Sequence, residues 1–305
     1  MFEVKRLRLL WELNARGTVA AVADALNYSP SAVSQQLAIL ESEAGVPLTR
    51  RVGRGLELTP AGEVLVAETA DLLDRLEFAQ ALVKGTEKYV LGTVRVAVFQ
   101  TAVLALMPHA LRHLRREHPK LRVEMVQHEP EEALYETSAR GFDLVVAEEY
   151  PGHAVQATAS LTRSNLTRDR LSLAVPVGDA CYDEWPPIHR LEDAATIPWV
   201  MEPRGAASRH WAEQLCRVAG FEPDVRYETA DLQAHVRLVE SGHAVAVLPD
   251  LVRVDRATSF KTVALEGDPH RTILTATREA ASESPAVWAV REALAAAVEH
   301  LHEAS

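Results

Sequence analysis

The stretch from Thr18 to Glu41, TVAAVADALNYSPSAVSQQLAILE, restricts what this chain can fold into more than any other part of it. Two short helices joined by a tight turn are predicted. Thr18 can cap the first helix, its hydroxyl accepting an orphan backbone N–H. Asn27 and Tyr28 make the turn, where Asn tolerates a left-handed backbone. Ser29 is a second N-cap, and Pro30 takes the first helical position, where its missing N–H costs nothing. Val33, Leu37 and Leu40 then recur at helical spacing, against Val22, Ala23 and Leu26. The opposite face carries Ser31, Ser34, Gln35 and Ala38, small or polar groups near the helix N-terminus. A helix-turn-helix presents such a face to the DNA major groove. An ordinary helical hairpin would present it to water, and the flanking residues bear on that choice.

Before this stretch, Leu7, Leu10 and Leu13 form one stripe of a helix from Val4 to Arg16, which Gly17 ends. After it, Thr49–Val52 and Leu56–Leu58 read as two short strands around Gly53-Arg54-Gly55. Such a hairpin is a wing. Arg50, Arg51 and Arg54 cluster on it, with Arg54 at the turn where it can reach a minor groove or a phosphate. The chain carries a net charge of −11, which by itself argues against nucleic acid. Residues 1–60, however, hold seven Lys/Arg and six Asp/Glu, and local potential rather than net charge governs phosphate contacts.

Thr59 and Pro60 repeat the cap-plus-proline signal and start a helix expected to run to Lys84. At about 1.5 Å per residue it would be about 37 Å long. Leu65, Leu72, Leu76, Ala79 and Val83 lie on one stripe of it with near-heptad steps. Pairing with a second copy of the chain covers such a stripe economically; folding back on the chain's own core is the alternative.

Beyond a hinge at Gly85–Gly92 the pattern changes to alternating strands and helices. Strand Thr93–Phe99, helix Ala102–His118, strand Leu121–Gln127, helix Glu131–Arg140 and strand Asp143–Ala147 make one βαβαβ unit with a parallel sheet. A second unit is expected from strand Leu171–Val175, strand Thr196–Met201, helix Ala206–Ala219, strand Val225–Thr229, helix Leu232–Ser241 and strand Ala244–Leu248. Strand Arg271–Thr277 and helix Ser284–Leu301 close the chain. Two lobes with crossings near Ser164–Arg168 and Leu265–Pro269 leave a cleft between them, where small ligands bind at strand carboxyl ends.

Composition narrows the function classes. At 305 residues, 48% hydrophobic and 25% charged, the chain has room for two or three ordinary globular domains. MFEVKRLRLLWEL interleaves charge with apolar residues, so a signal peptide is not expected; no run has the length of a membrane span, and cytoplasm is the default. No G-x-S-x-G elbow, Walker loop, H-E-x-x-H or glycine-rich dinucleotide motif is present, so an enzyme is not expected. His109 and His113 sit four apart on a helix, but Leu106, Ala110, Leu111 and Leu114 supply its core face. That leaves the histidines near the solvated side without a Cys partner, and no metal or cofactor is expected. Cys216 sits in a helix beside Leu215 and Cys181 lies near Asp179 and Asp183, so both thiols are expected to be inert.

In order along the chain, LNYSPSAVSQQLAILE, GVPLTRRVGRGLELTPAG, GTVRVAVFQ, Met107-Pro108, His118-Pro119, GFDLVVA and SGHAVAVLP together resemble the LysR-type transcriptional regulators. The resemblance spans nearly the whole chain. It implies an α/β fold with an N-terminal all-α winged helix-turn-helix, a long linker helix and a two-lobed effector domain of the periplasmic-binding-protein (type 2) kind. Boundaries follow at 1–60, 61–85 and 90–305, with lobe I about 90–164 and 269–305 and lobe II about 168–265. Family members often have Phe-Glu-Arg where this chain has Thr49-Arg50-Arg51, and long basic residues where it has Gln35 and Ala38. An amide at Gln35 matches the edge of adenine.

The expected DNA contacts are Ser29, Ser31, Ser34, Gln35, Arg50, Arg51 and Arg54. The expected effector contacts are the strand ends and helix starts Gln100, Thr101, Glu149, Glu202, Arg204 and Thr229. Helix N-terminal amides and Arg204 would suit a small carboxylate or an amino acid. Leu65, Leu72, Leu76 and Val83 are expected to pair the linker helices of a homodimer, and the resemblance implies a homotetramer. The rival classes are an enzyme or a solute-binding module fused to a winged helix.

Overall fold

The computed structural model describes residues 1–53, 55–86, 89–153, 161–177 and 185–304. The expected contact Arg54 and the thiol of Cys181 lie outside the described residues.

Three helices open the chain: α1 (Val4–Arg16), α2 (Val19–Leu26) and α3 (Pro30–Ala44). Each expected cap is present. The Thr18 hydroxyl accepts from the Ala21 N–H at 3.1 Å, and Asn27 takes the left-handed turn with φ 57°. The Ser29 hydroxyl accepts from the Ala32 N–H at 3.2 Å. Leu10, Val22, Val33 and Leu40 are fully buried in one core, with Leu7, Leu13, Leu37 and Leu48 beside them. The wing is the antiparallel pair β1 (Thr49–Val52) and β2 (Gly55–Leu58).

Helix α4 (Pro60–Lys84) begins hard against the wing. A Cβ on Gly62 would stand 2.1 Å from the Leu48 carbonyl oxygen, so only glycine lets the helix start there. One side of α4 docks on its own chain: Val66, Leu73 and Ala81 are buried, and Glu77 accepts from Arg278 at 2.7 and 3.0 Å and also from Arg140. The other side leaves Val64, Leu72, Leu76, Leu82 and Val83 exposed.

Lobe I holds β3 (Gly92–Val98), α5 (Gln100–Ala105), α6 (Met107–Glu117), β4 (Leu121–Gln127), α7 (Pro130–Ser138) and β5 (Leu144–Glu149). The single helix expected over 102–118 is two. Pro108, at the start of α6, cannot donate the next helical hydrogen bond, and the axis breaks at Leu106. Then β6 (Leu161–Pro176) runs unbroken through both lobes. Lobe II follows with β7 (Pro198–Met201), α8 (Ala207–Val218), β8 (Asp224–Glu228), α9 (Leu232–Glu240), β9 (Ala246–Pro249) and β10 (Phe260–Ala264). The chain returns to lobe I as β11 (His270–Arg278), α10 (Glu279–Ser282) and α11 (Pro285–Ala304).

In lobe I the order β4-β3-β5 is parallel, and β11 and then β6 add antiparallel strands. From Leu171 onward β6 changes partners and pairs with β9 and β10 of lobe II. The first crossing, expected near Ser164–Arg168, is thus a change of partner within one strand, between Arg170 and Leu171. The second crossing is the turn between β10 and β11. Apolar clusters fill both faces of each lobe, which fixes the strand ends along a common cleft.

Candidate functional site

Two surfaces concentrate the chemistry. The first is the outer face of α3. Ser31, Ser34 and Gln35 are exposed there, while Val33 and Leu37 anchor the helix from below. Ser29 and Ser31 are joined through their hydroxyls at 3.0 Å, so Ser29 is a cap before it is a contact. Glu41, at the far end of α3, fixes the wing. Its carboxylate accepts from the Leu48 and Thr49 backbone N–H groups at 2.9 and 2.8 Å and from the Thr49 hydroxyl at 3.0 Å. Arg50 pairs with Glu57 at 3.1 Å, and Arg51 is exposed on the same hairpin. Helix α3 and the basic hairpin are thus tied together through Glu41.

The second surface is a cavity of about 290 Å³ between the lobes. Glu129 and the first turn of α7, Glu148 of β5, and Glu202, Pro203 and the residues from Gly205 to Ser208 ahead of and into α8 line it, with Ala230. Glu202 accepts from the Ser208 hydroxyl. Behind Glu148 lies Arg271, fully buried. Its guanidinium donates to Asp169 at 2.7 and 2.9 Å, to the Thr101 hydroxyl at 2.6 Å and to Glu148, and stacks over Phe99. Asp169 also accepts from the Leu251 N–H at 3.1 Å. Burial opposes the charge on Arg271, but Glu148 and Asp169 outweigh it and hold the guanidinium protonated. Burial pushes Glu148 up to about 7, against the pull of Arg271 and with the help of Glu202, Asp169 and Glu129. Glu202 is raised by burial, and Glu129 by burial and by Glu132.

Of the six expected effector contacts, the structure brings only Glu202 into the cavity wall. Thr101 is fully buried, and its hydroxyl already serves Arg271. Gln100 clasps the lobes instead: its amide donates to Asp231 at 2.8 Å and accepts from the Leu232 N–H at 2.9 Å. Glu149 pairs with Arg163 at 2.7 Å. Arg204 is exposed outside the wall, and Thr229 caps the turn into α9 through the Asp231 N–H. Glu129, Glu148, Asp169 and Arg271 were missed. An arginine within RTILTAT, facing an aspartate on the neighbouring strand, is the signal that could have found the pair.

Leu72, Leu76 and Val83 lie on the exposed side of α4, whereas Leu65 packs partly into the N-terminal core. His109 is not solvated as expected: it pairs with Asp255 at 3.0 Å and its ring lies 4.7 Å from that of His300. Among the described residues no group of His, Cys, Asp and Glu suits a metal ion. Burial lifts the Cys216 thiol to about 12, which keeps it unreactive. Among the described residues no helix is long and apolar enough to cross a membrane.

Residues 4–63 match the family model of bacterial regulatory helix-turn-helix proteins of the lysR family, and residues 88–299 match the LysR substrate binding domain. The transcriptional dual regulator GltC of Bacillus subtilis strain 168 is 27% identical over 85% of this chain and 84% of its own length. The transcriptional regulator ClcR of Pseudomonas putida is 26% identical over 87% and 88%. Among solved structures, a variant of full-length OxyR from Pseudomonas aeruginosa is similar over 96% of this chain and 95% of its own, at 18% identity and a TM-score of 0.68. Full-length CbnR in complex with its target DNA is similar over 99% of each chain, at 21% identity and a TM-score of 0.52.

Proposed function

Because this chain belongs to the LysR family, and is a DNA-binding transcriptional regulator with an effector-binding domain, we propose how its parts divide that work. Ser31, Ser34 and Gln35 on α3 read base edges, and Arg50, Arg51 and Arg54 on the wing hold phosphates. Residues 1–60 are the reading head, 61–85 the pairing helix and 90–305 the effector domain, in the cytoplasm. The exposed side of α4, with Leu72, Leu76 and Val83, pairs two copies into a homodimer, and two dimers form a tetramer. A dimer fits the rest of the molecule: a reading head near neutral charge gains little non-specific affinity and needs two half-sites.

The effector occupies the interlobe cavity, and α7 carries its effect to the reading head. One observation supports this route above others. Glu131 and Glu132, in the first turn of α7, line the cavity, while Tyr135 and Glu136, one turn further, bond to Ala15 and Arg16 at the end of α1. A ligand that prefers one placement of α7 therefore biases the seat of the reading head, which is the differential contact that coupling requires. Footprinting on the promoter region beside the protein's own gene, with and without candidate metabolites, tests the reading. A footprint whose extent no effector changes would leave the coupling without support.

A further inference from the structure

The cavity holds more negative charge than its own residues offset, and we infer that its ligand is a small organic cation carrying an ammonium, amidinium or guanidinium group. The inference rests on the cavity being the effector site, and it adds the charge class of what binds there.

Five of the lining residues are glutamates, at 129, 131, 132, 148 and 202, and the others are proline, glycine, alanine and serine; Glu129, Glu148 and Glu202 carry the charge of the wall, since Glu131 and Glu132 are exposed and the Glu132 carboxylate turns to His128. The nearby cations are already committed, Arg271 in part to Glu148 of the wall itself. Arg271 is consumed by Asp169, Glu148 and Thr101. Arg209 spends its charge on Glu213 and Glu228 and reaches only the backbone oxygen of Glu202. His128 lies 3.4 Å from Glu132 on the outer side of α7, and Arg204 is outside the wall. An anionic ligand would meet the starts of α7 and α8, but each already has resident carboxylates: Glu131 and Glu132 in the first turn of α7, and Glu202 against Ser208 of α8. Burial pushes Glu129, Glu148 and Glu202 all upward, and Arg271 offsets it only in part at Glu148 and Glu202. A bare metal ion does not fit, since no group of these oxygens among the described residues converges on one point. The volume of about 290 Å³ lies at the small end of ligand cavities, which suits a metabolite-sized amine.

The full chain is titrated calorimetrically at constant ionic strength with 1,4-diaminobutane and agmatine as cations, 1,4-butanediol as the neutral counterpart and succinate as the anion. Saturable binding of a cation is expected, with the diol and succinate silent. Glu202→Gln should weaken that binding about tenfold or more, as loss of one buried charge contact does. Ala207→Trp, which fills the cavity, should abolish it. Succinate binding that Ala207→Trp removes would overturn the cation and leave the cavity as the site. Cation binding that survives both Ala207→Trp and Glu202→Gln would remove the site itself. Silence of both cations, or a diol that binds as tightly as the diamine, would overturn the charge class.

Discussion

The carboxylate of Glu136 takes two guanidinium nitrogens of Arg16, each at 3.0 Å. Arg16 is also held by the buried Glu12 at 2.7 Å, so the clasp joins the core of the reading head to lobe I. The two residues are 120 positions apart, and no local pattern in the sequence links them.

Glu136→Ala should therefore disturb communication more than folding. A partly exposed ion pair contributes about 1 kcal/mol or less, so the melting temperature should move little. The ratio of DNA affinities with and without bound effector should move toward one, because the route from cavity to α1 is cut. Fluorescence anisotropy on operator DNA measures that ratio; an unchanged ratio would exclude α7 as the route.

On the reading face, Gln35→Ala should relax the base preference at one position of each half-site and cost about 1–3 kcal/mol there. Binding-site selection with the variant would show it. Selection of the same sequences with the same stringency would mean that Gln35 reads no base.

Arg51→Ala should act differently. It should weaken binding to all sequences alike and make the slope of affinity against salt shallower by about one phosphate contact per head. A salt titration of operator and non-operator DNA separates this from a base-reading defect.

The exposed side of α4 predicts an assembly defect. Leu72→Glu with Leu76→Glu places two carboxylates where a partner helix would pack, and leaves untouched the buried side with Val66, Leu73 and Ala81. Sedimentation should show monomers with a normal circular dichroism spectrum and lost operator affinity. An unchanged oligomer would place the pairing surface elsewhere.

Glu148 predicts a pH dependence. Arg271, Asp169, Glu202, Glu129 and Tyr150 are the charged or titratable groups coupled to it. Burial, only partly offset by Arg271, holds it at about 7 in the folded chain against an ordinary 4.5. Between those values the folded state keeps a proton that the unfolded chain has released. This group's contribution is thus complete below about 4.5 and is lost as pH rises through about 7. Glu148→Gln should flatten that part of the stability profile in urea titrations. A profile of unchanged slope would show that Glu148 is ionised throughout.

What the sequence determined by itself is whatever local chemistry dictates. Caps at Thr18, Ser29 and Thr59, the left-handed Asn27 and the spacing of Val33, Leu37 and Leu40 each act within a few residues. They fixed the helix-turn-helix, its outward face and the start of α4, and the strand-helix alternation fixed the α/β class. Tertiary structure decided the cavity. Strand period shows that Glu148 and Glu149 point to opposite faces, but not which face meets the other lobe. Arg271 and Thr101 are 170 residues apart, and their meeting turned an expected ligand contact into a support for a buried cation. The polar run LTRSNLTRDR, where only a crossing between lobes was expected, carries too few apolar residues to read as a strand, yet paired with β11 it is the first part of β6. A strand is specified there by its partner, and the partner is known only once the chain has returned from the second lobe.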